Sequence, residues 1–287
     1  MSEIPRLNGA IRALEEGKPA FVNFSVPEIS AAVSMAGTKY DGVAFEMEHN
    51  PFDVAALRNC LQYLLDRKQI LRSGTLAPAV TPMVRIPVNG IEMSQWIAKQ
   101  VLDIGVYGVI WPHVSTVEEA RNAVAACRYP RPQSRDYYHP AGMRGDGPRH
   151  AARYWGLTQQ EYYERADVWP LNPRGEIICG IMCEEVRAVK NLPKMLKEVP
   201  GIGVVIIGEG DLSQDMGFPR QYDHPEVAKA IDDVLAICKE HNVVCGHPHV
   251  DVGNVESLIE KGFRWLMPAP ETSYKALELG RKASGRT

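Results

Sequence analysis

Short apolar and β-branched runs recur along the chain at residues 20–26, 42–46, 83–87, 107–111, 177–183, 203–208, 243–246 and 264–268. Between and after them lie stretches with helical spacing of apolar positions, at 27–36, 53–66, 90–103, 116–127, 186–199, 225–241, 254–261 and 272–282. Near-continuous apolar strands alternating with amphipathic helices predict a parallel sheet covered by helices. Eight such units in this length predict a (β/α)8 barrel, a TIM barrel, with a doubly wound sheet as the alternative. A helix at residues 7–16 precedes the first strand and would cap the bottom of the barrel.

Helix starts agree with this reading. Asp53 and Thr116 are N-cap residues in pattern, and Glu119 follows Thr116 at the capping-box spacing. Pro225 fits a first helical turn, where a missing N–H is harmless. The regular alternation breaks once. Residues 128–176, an enlarged connection between the fourth and fifth strands, are far more than a crossover needs and contain Tyr154, Trp155, Tyr162, Tyr163 and Trp169. No composition shift marks a second domain, so residues 1–287 read as one barrel, with 271–287 as a C-terminal helix.

Composition narrows the function classes. The 287 residues are 45% hydrophobic and 23% charged, ordinary for a globular chain. A net charge of −3 supplies no attraction to nucleic acid or an anionic membrane. No run reaches the roughly 20 apolar residues of a membrane helix. The opening Met1-Ser2-Glu3-Ile4-Pro5-Arg6 lacks a signal layout, which predicts a cytoplasmic protein. The six cysteines are scattered without paired spacing and read as small buried hydrophobes.

In a barrel of this kind, chemistry gathers at the carboxyl ends of the strands. Those ends carry Glu46, Glu48 and His49 on the second strand, Arg85 on the third and His113 on the fourth. Glu184 and Glu185 end the fifth, and Gly208-Glu209-Gly210-Asp211 ends the sixth. His247-Pro248-His249 ends the seventh, and the eighth reaches Glu271. Carboxylates at buried ends need a positive partner. Arg85 and a divalent cation are the candidates, with Glu184 and Asp211 on adjacent strands able to converge on one ion. Oxygen ligands completed by water and substrate suit Mg²⁺ or Mn²⁺ better than Zn²⁺, with Co²⁺ also admissible. A carboxylate near His49 would orient its ring as a general base. His247 and His249 face one side if their strand continues, although Pro248 suggests a turn. Metal, substrate and structural roles stay open for both. The glycine-flanked turn at 208–213 offers backbone N–H groups to a carboxylate or phosphate.

At these residues the chain resembles the metal-dependent 2-oxo acid aldolases of the HpcH/HpaI type, over about residues 19–282. Glu46-Met47-Glu48-His49 resembles the family's Asp-Gly-Glu-His, and Pro82-Met83-Val84-Arg85 its Pro-Val-Val-Arg. Tyr129-Pro130 with Pro140-Ala141-Gly142-Met143-Arg144-Gly145 resembles its Tyr-Pro-Pro-x-Gly-x-Arg-Gly, split by an insertion. Glu184 falls at the metal-glutamate strand, and Gly208-Glu209-Gly210-Asp211-Leu212-Ser213 is similar to Gly-Pro-Ala-Asp-Leu-Ser. The resemblance implies that Glu184 and Asp211 hold the divalent ion that chelates a pyruvate-type 2-oxo acid. It implies that Arg85 stabilises the enolate oxygen and that His49, oriented by Glu46, moves the proton. Gly208, Glu209, Gly210, Met182, His247 and His249 would line the substrate. It also implies a homo-oligomer, a trimer or hexamer, in which the last helix, with Tyr274, Leu277 and Leu279, packs on a neighbour.

Several positions depart from the family pattern. Glu46 replaces an aspartate, Met47 a glycine, Met182 a glutamine and Glu209 a proline, while His247 and His249 stand in a usually apolar strand. The metal–enolate core therefore looks kept and the acceptor pocket rebuilt. The expected activity is cleavage or formation of a 4-hydroxy-2-oxo acid from a 2-oxo acid and an aldehyde. Oxaloacetate decarboxylation, or a catalytically weak binding barrel, are the alternatives. The aromatic stretch is expected to leave the fourth strand at the active-site end and wall the acceptor pocket, anchored by Arg144. That wall would favour a bulky or aromatic aldehyde, as in the catabolism of aromatic compounds.

Overall fold

The computed structural model describes residues 4–269 and 274–286. Its strands are β1 (Ala20–Ser25), β2 (Gly42–Glu46), β3 (Thr81–Arg85), β4 (Gly108–Trp111), β5 (Val168–Trp169), β6 (Ile177–Cys183), β7 (Val204–Ile207), β8 (Val244–Val250) and β9 (Trp265–Pro268). Eight of them are parallel and close on themselves. β1 pairs with β9 through Ala20 and Trp265, and β4 pairs with β6 through Trp111 and Ile181. The two-residue β5 adds to the start of β6. The closed eight-stranded parallel barrel is the (β/α)8 fold expected from the pattern.

The helices of the first half are α1 (Gly9–Glu15), α2 (Ile29–Ala36), α3 (Val54–Leu64), α4 (Arg67–Ser73), α5 (Gln95–Asp103), α6 (Val117–Ala126), α7 (Arg149–Trp155) and α8 (Gln159–Arg165). Those of the second half are α9 (Val186–Glu198), α10 (Glu209–Asp215), α11 (Pro225–Glu240), α12 (Val255–Lys261) and α13 (Lys275–Ala283). Thr116 caps α6 in a capping box with Glu119, as its spacing predicts. The span 53–66 predicted as one helix ends at Leu64, because the Asp66 side chain accepts from the Lys68 and Gln69 amides and starts α4 instead. The predicted turn at 208–213 is the first part of α10. Among the described residues, no helix is long and apolar enough to cross a membrane.

Strand periodicity decides what reaches the centre. Val22, Ala44, Met83, Ile110, Ile178, Met182, Val204, Ile206 and Trp265 fill the barrel, while Phe21, Val43, Phe45, Val84, Val109 and Val205 face the helices. Side chains alternate with period two, so the inward phase continues past the last apolar residue of each strand. From Ala44 it reaches Glu46, from Met83 it reaches Arg85, and from Met182 it reaches Glu184. At the opposite end α1 plugs the barrel, with Ala10, Ile11 and Ala13 packed among the interior residues. Buried Glu176 fixes this plug by accepting from the Leu7 and Asn8 amides at 3.1 and 2.9 Å.

The long connection differs from expectation. α6 carries the chain back to the amino-terminal ends of the strands before the excursion begins, so residues 128–176 sit away from Arg85 and Glu184. Trp155 stacks on Tyr107, just before β4, at 4.2 Å, and its Nε1 donates to the Gly105 carbonyl at 2.8 Å. Arg144 lies 4.1 Å over the Tyr129 ring and bonds Asp103 and Tyr162, so it does anchor this segment. The aromatic residues are therefore core of the bottom layer and do not wall an acceptor pocket. In α13, Leu277 is buried and Gly280 lies against Phe21 and Val255. Leu277 and Gly280 thus cover the chain's own barrel, while Tyr274 is 39% exposed. Glu271 and Thr272 lie outside the described residues.

Candidate active site

At the carboxyl ends of the strands opens a cavity of about 560 Å³, lined by Arg85, Met182, Glu184, Gly208, Glu209, Gly210 and Asp211 among others. Adjacent register places Glu46 beside Arg85. The Arg85 Nε donates to Glu46 at 2.6 Å, and its Nη1 forms an ion pair with Glu48 at 2.9 Å. The guanidinium also lies 4.4 Å over the Phe24 ring, which holds its plane. Glu46 does not touch the His49 ring. Its other oxygen accepts from the Glu48 and His49 amides at 2.7 and 3.2 Å, so it shapes the turn that carries His49. The carboxylate beside the imidazole is Glu48, at 3.6 Å, and the His49 side chain is 67% exposed.

Glu184 is 1% exposed. One oxygen accepts from the His113 amide at 2.6 Å, while the other is buried and has no partner. Burial pushes its carboxyl up to about 7, with His113 acting in the opposite direction. Burial likewise raises Glu48. Burial disfavours the His113 cation, but the Glu184, Glu185, Asp211 and Glu48 carboxylates outweigh it and raise the imidazole. Donor atoms of Glu48, His113 and Glu184 lie within 4.8 Å of one another. Asp211 stands outside that tight group, but lines the same cavity from the first turn of α10.

These residues fit a hard divalent cation. Four carboxylates, Glu46, Glu48, Glu184 and Asp211, gather at Arg85, with Arg220 also lining the cavity, and the buried Oε2 atoms of Glu48 and Glu184 have no hydrogen-bond partner. An unpaired buried oxygen of this kind costs the full desolvation of the group until a cation or donor reaches it. Oxygen donors with an open cavity beside them are the chemistry of Mg²⁺ and Mn²⁺ sites.

β8 continues through Pro248, with an irregularity in register between His247 and Val250. His247 and His249 both reach Glu209. His247 Nε2 lies 2.9 Å from one oxygen, and His249 Nδ1 hydrogen-bonds the other. Glu209 is thus turned away from the turn that its charge would have spoiled. Burial opposes its charge, yet the hydrogen bonds from His247 and His249 prevail and hold the carboxyl at about 2. Sequence reasoning gave no role to Glu48 or His113, although Glu48 continues the inward phase of Glu46. Tyr222, which lines the cavity and stacks on His249 at 5.0 Å, follows α10 in an irregular segment and carries no signal in the sequence.

The chain matches the model of the HpcH/HpaI aldolase/citrate lyase family over residues 20–268. It is 33% identical over 225 residues to a 4-hydroxy-2-oxo-heptane-1,7-dioate aldolase of Salmonella dublin, covering 78% of this chain and 73% of the relative. An Escherichia coli protein of the same name is 32% identical over 231 residues, covering 79% and 75%. A solved HpcH/HpaI aldolase/citrate lyase family protein from Burkholderia cenocepacia J2315 superposes with a TM-score of 0.74 at 26% identity, covering 96% of this chain and 97% of that one. The strand-end carboxylates, the arginine among them and the closed barrel thus occur in a chain that belongs to the HpcH/HpaI aldolase/citrate lyase family and is an aldolase-type lyase.

Proposed function

We propose that the protein is a divalent-metal-dependent aldolase that cleaves or forms a 4-hydroxy-2-oxo acid through a pyruvate-type enolate. The observation that carries this reading is the partnerless buried oxygen of Glu184, set in an open cavity with Arg85 and Asp211. Glu184 and Asp211 would hold the ion, with Glu48 and His113 beside Glu184. When bound, such an ion draws electron density from the 2-oxo acid's carbonyl and lowers the energy of negative charge there.

The protein's own groups supply the rest. In the cleavage direction the bond between C3 and C4 breaks, its electron pair passes to the C2 oxygen, and the 4-hydroxyl loses its proton as the aldehyde forms. His49, exposed at the rim beside Glu48, takes that proton. Arg85, fixed by Glu46, Glu48 and Phe24, places positive charge where the enolate oxygen develops, at no cost in reorganisation. The amides of Glu209 and Gly210, at the first turn of α10, orient the substrate carboxylate, while the Gly208 amide is held by the Cys183 carbonyl at 3.1 Å. Met182 packs its sulfur 3.5 Å from Arg85 Nη1 and sets that wall of the cavity.

The test is release of pyruvate from a panel of 4-hydroxy-2-oxo acids and oxaloacetate, with Mg²⁺, Mn²⁺ or Co²⁺ and with chelator. Metal-dependent pyruvate together with an aldehyde supports the reading. Carbon dioxide as the sole co-product would make the protein a decarboxylase, and silence across the panel would make it a binding barrel. Replacing Glu184 or Asp211 with alanine should abolish divalent binding measured by calorimetry. We further propose that the protein is a single-domain, cytoplasmic homo-oligomer, a trimer or hexamer; a monomeric mass at micromolar concentration would refute the assembly.

A further inference from the structure

Behind β8 the active-site cavity adjoins a second hollow of about 490 Å³. The two share Glu209, Tyr222, Pro248, His249, Met267 and Ala269 as a common wall. A substrate anchored by its 2-oxo acid end near Arg85 and Glu184 lies in the cavity that this wall bounds.

The charge of the hollow is one-sided. Glu209, Asp223, Asp232 and Asp251 line it, against Lys261 as the one Lys or Arg among the described lining residues. Lys261 is already paired with Asp232 at 3.2 Å. A distal carboxylate entering this hollow would meet carboxylates with no unpaired lysine or arginine among the described lining residues, which is selection by repulsion; Arg220 stands on the active-site side of the wall, its Nη1 3.5 Å from the Tyr222 hydroxyl.

The histidines add a second, independent observation. Glu209 is 4% exposed in its side chain and both its oxygens are taken by imidazoles. An ionised carboxylate only accepts, so each ring presents its N–H to Glu209 and, in the neutral imidazole, keeps its other nitrogen as a lone-pair acceptor. For His247, 8% exposed, that nitrogen is Nδ1, which is buried without a partner. For His249 it is Nε2, on a half-exposed ring stacked against Tyr222. His247 Nδ1 is sealed from the active-site cavity, so the lone pair that the wall offers a hydrogen-bond donor is that of His249.

We propose that the aldehyde partner is uncharged and hydroxyl-bearing beyond its carbonyl, and that the Glu209–His247–His249 unit selects it against aldehydes with a distal carboxylate. This rests on the aldolase reading above. Two matched pairs of acceptors test it, with pyruvate and Mn²⁺. Succinic semialdehyde against its methyl ester isolates charge, and propanal against glyceraldehyde isolates the hydroxyls. The expected kcat/KM favours the ester over the acid, and glyceraldehyde over propanal, by tenfold or more each. The first ratio should shrink as salt is raised from 0.02 to ~0.5 M, because screening shortens with ionic strength. Exchange of pyruvate methyl protons in D₂O, which needs no acceptor, is read in the same samples. A kcat/KM for the acid equal to or better than that of its ester, or for propanal equal to that of glyceraldehyde, with proton exchange intact, overturns this inference alone. Absence of exchange overturns the aldolase reading and this inference with it.

Discussion

Gly208 is where the site is most easily disturbed without touching a charged group. It precedes α10 with φ of −93°, so an alanine there meets no backbone strain. Its missing Cβ, however, lies in the space of Glu184. A Cβ at 208 would stand 3.0 Å from Glu184 Cδ, and closer still to Glu184 Cβ and Oε2. Carbon–carbon contacts settle at about 3.5–4.0 Å, so the Glu184 side chain must retreat by about 1 Å. Overpacking of this size costs about 1–3 kcal/mol of stability. Displacement of a positioned group by about 1 Å costs about 10²-fold in rate. Gly208→Ala is thus expected to fold, melt a few degrees lower, and lose about 10²-fold in pyruvate release together with much of its affinity for Mn²⁺. Thermal melting, calorimetric Mn²⁺ titration and steady-state turnover check the three parts. Gly37→Ala, whose nearest neighbour would be 3.9 Å away, serves as the control. Full turnover and full Mn²⁺ affinity in Gly208→Ala would refute the claim that the position of Glu184 limits the chemistry.

His49→Ala should lower turnover by about 10²–10⁴-fold while Mn²⁺ affinity stays unchanged; a loss below about tenfold would shift the proton transfer towards His113. Trp155→Ala should cost about 3–5 kcal/mol in denaturant unfolding, yet leave kcat untouched below its melting range, since Trp155 is buried at the far end from Arg85. A selective loss of turnover at unchanged stability would instead restore an active-site role for the long connection. Glu209 is held at about 2 against an ordinary 4.5, so its charged form stabilises the fold. That contribution, on the order of 3 kcal/mol, is fully present above pH 4.5 and lost as pH falls towards 2. Glu209→Gln should therefore be less stable at neutral pH and show a flatter decline in stability across that acid range.

The barrel was legible because burial of every strand on both faces leaves an apolar run, and burial of one helix face leaves a period near 3.6. Residues 42–46 and 177–183 match β2 and β6 to the residue. The catalytic candidates were legible for a related reason. A polar residue that continues the inward phase of an apolar strand, such as Arg85 after Met83, has no place but the mouth of the barrel. Errors arose where a local choice depended on a side chain elsewhere. Asp66 divided a helix that apolar periodicity ran straight through, and Pro248 failed to end β8.

The long connection shows where sequence reasoning stops. Its aromatic content declared that it must be buried, but nothing in its residues says against which end of the barrel. That was decided by α6, which turns the chain back before the excursion starts and puts Trp155 under Tyr107. The same holds for the site's partners. Sequence alone named Glu46, Glu48, His49, Arg85, Glu184, Asp211, His247 and His249 as residues of the strand ends. Only the closed sheet determined that Glu46 serves Arg85 and the turn before His49, and that Glu209 is claimed by two histidines 38 and 40 positions away. Periodicity is a local property of the chain and survives in one dimension. Pairing of charges depends on distances of a few ångströms between residues far apart in sequence, and those distances exist only once the barrel has closed.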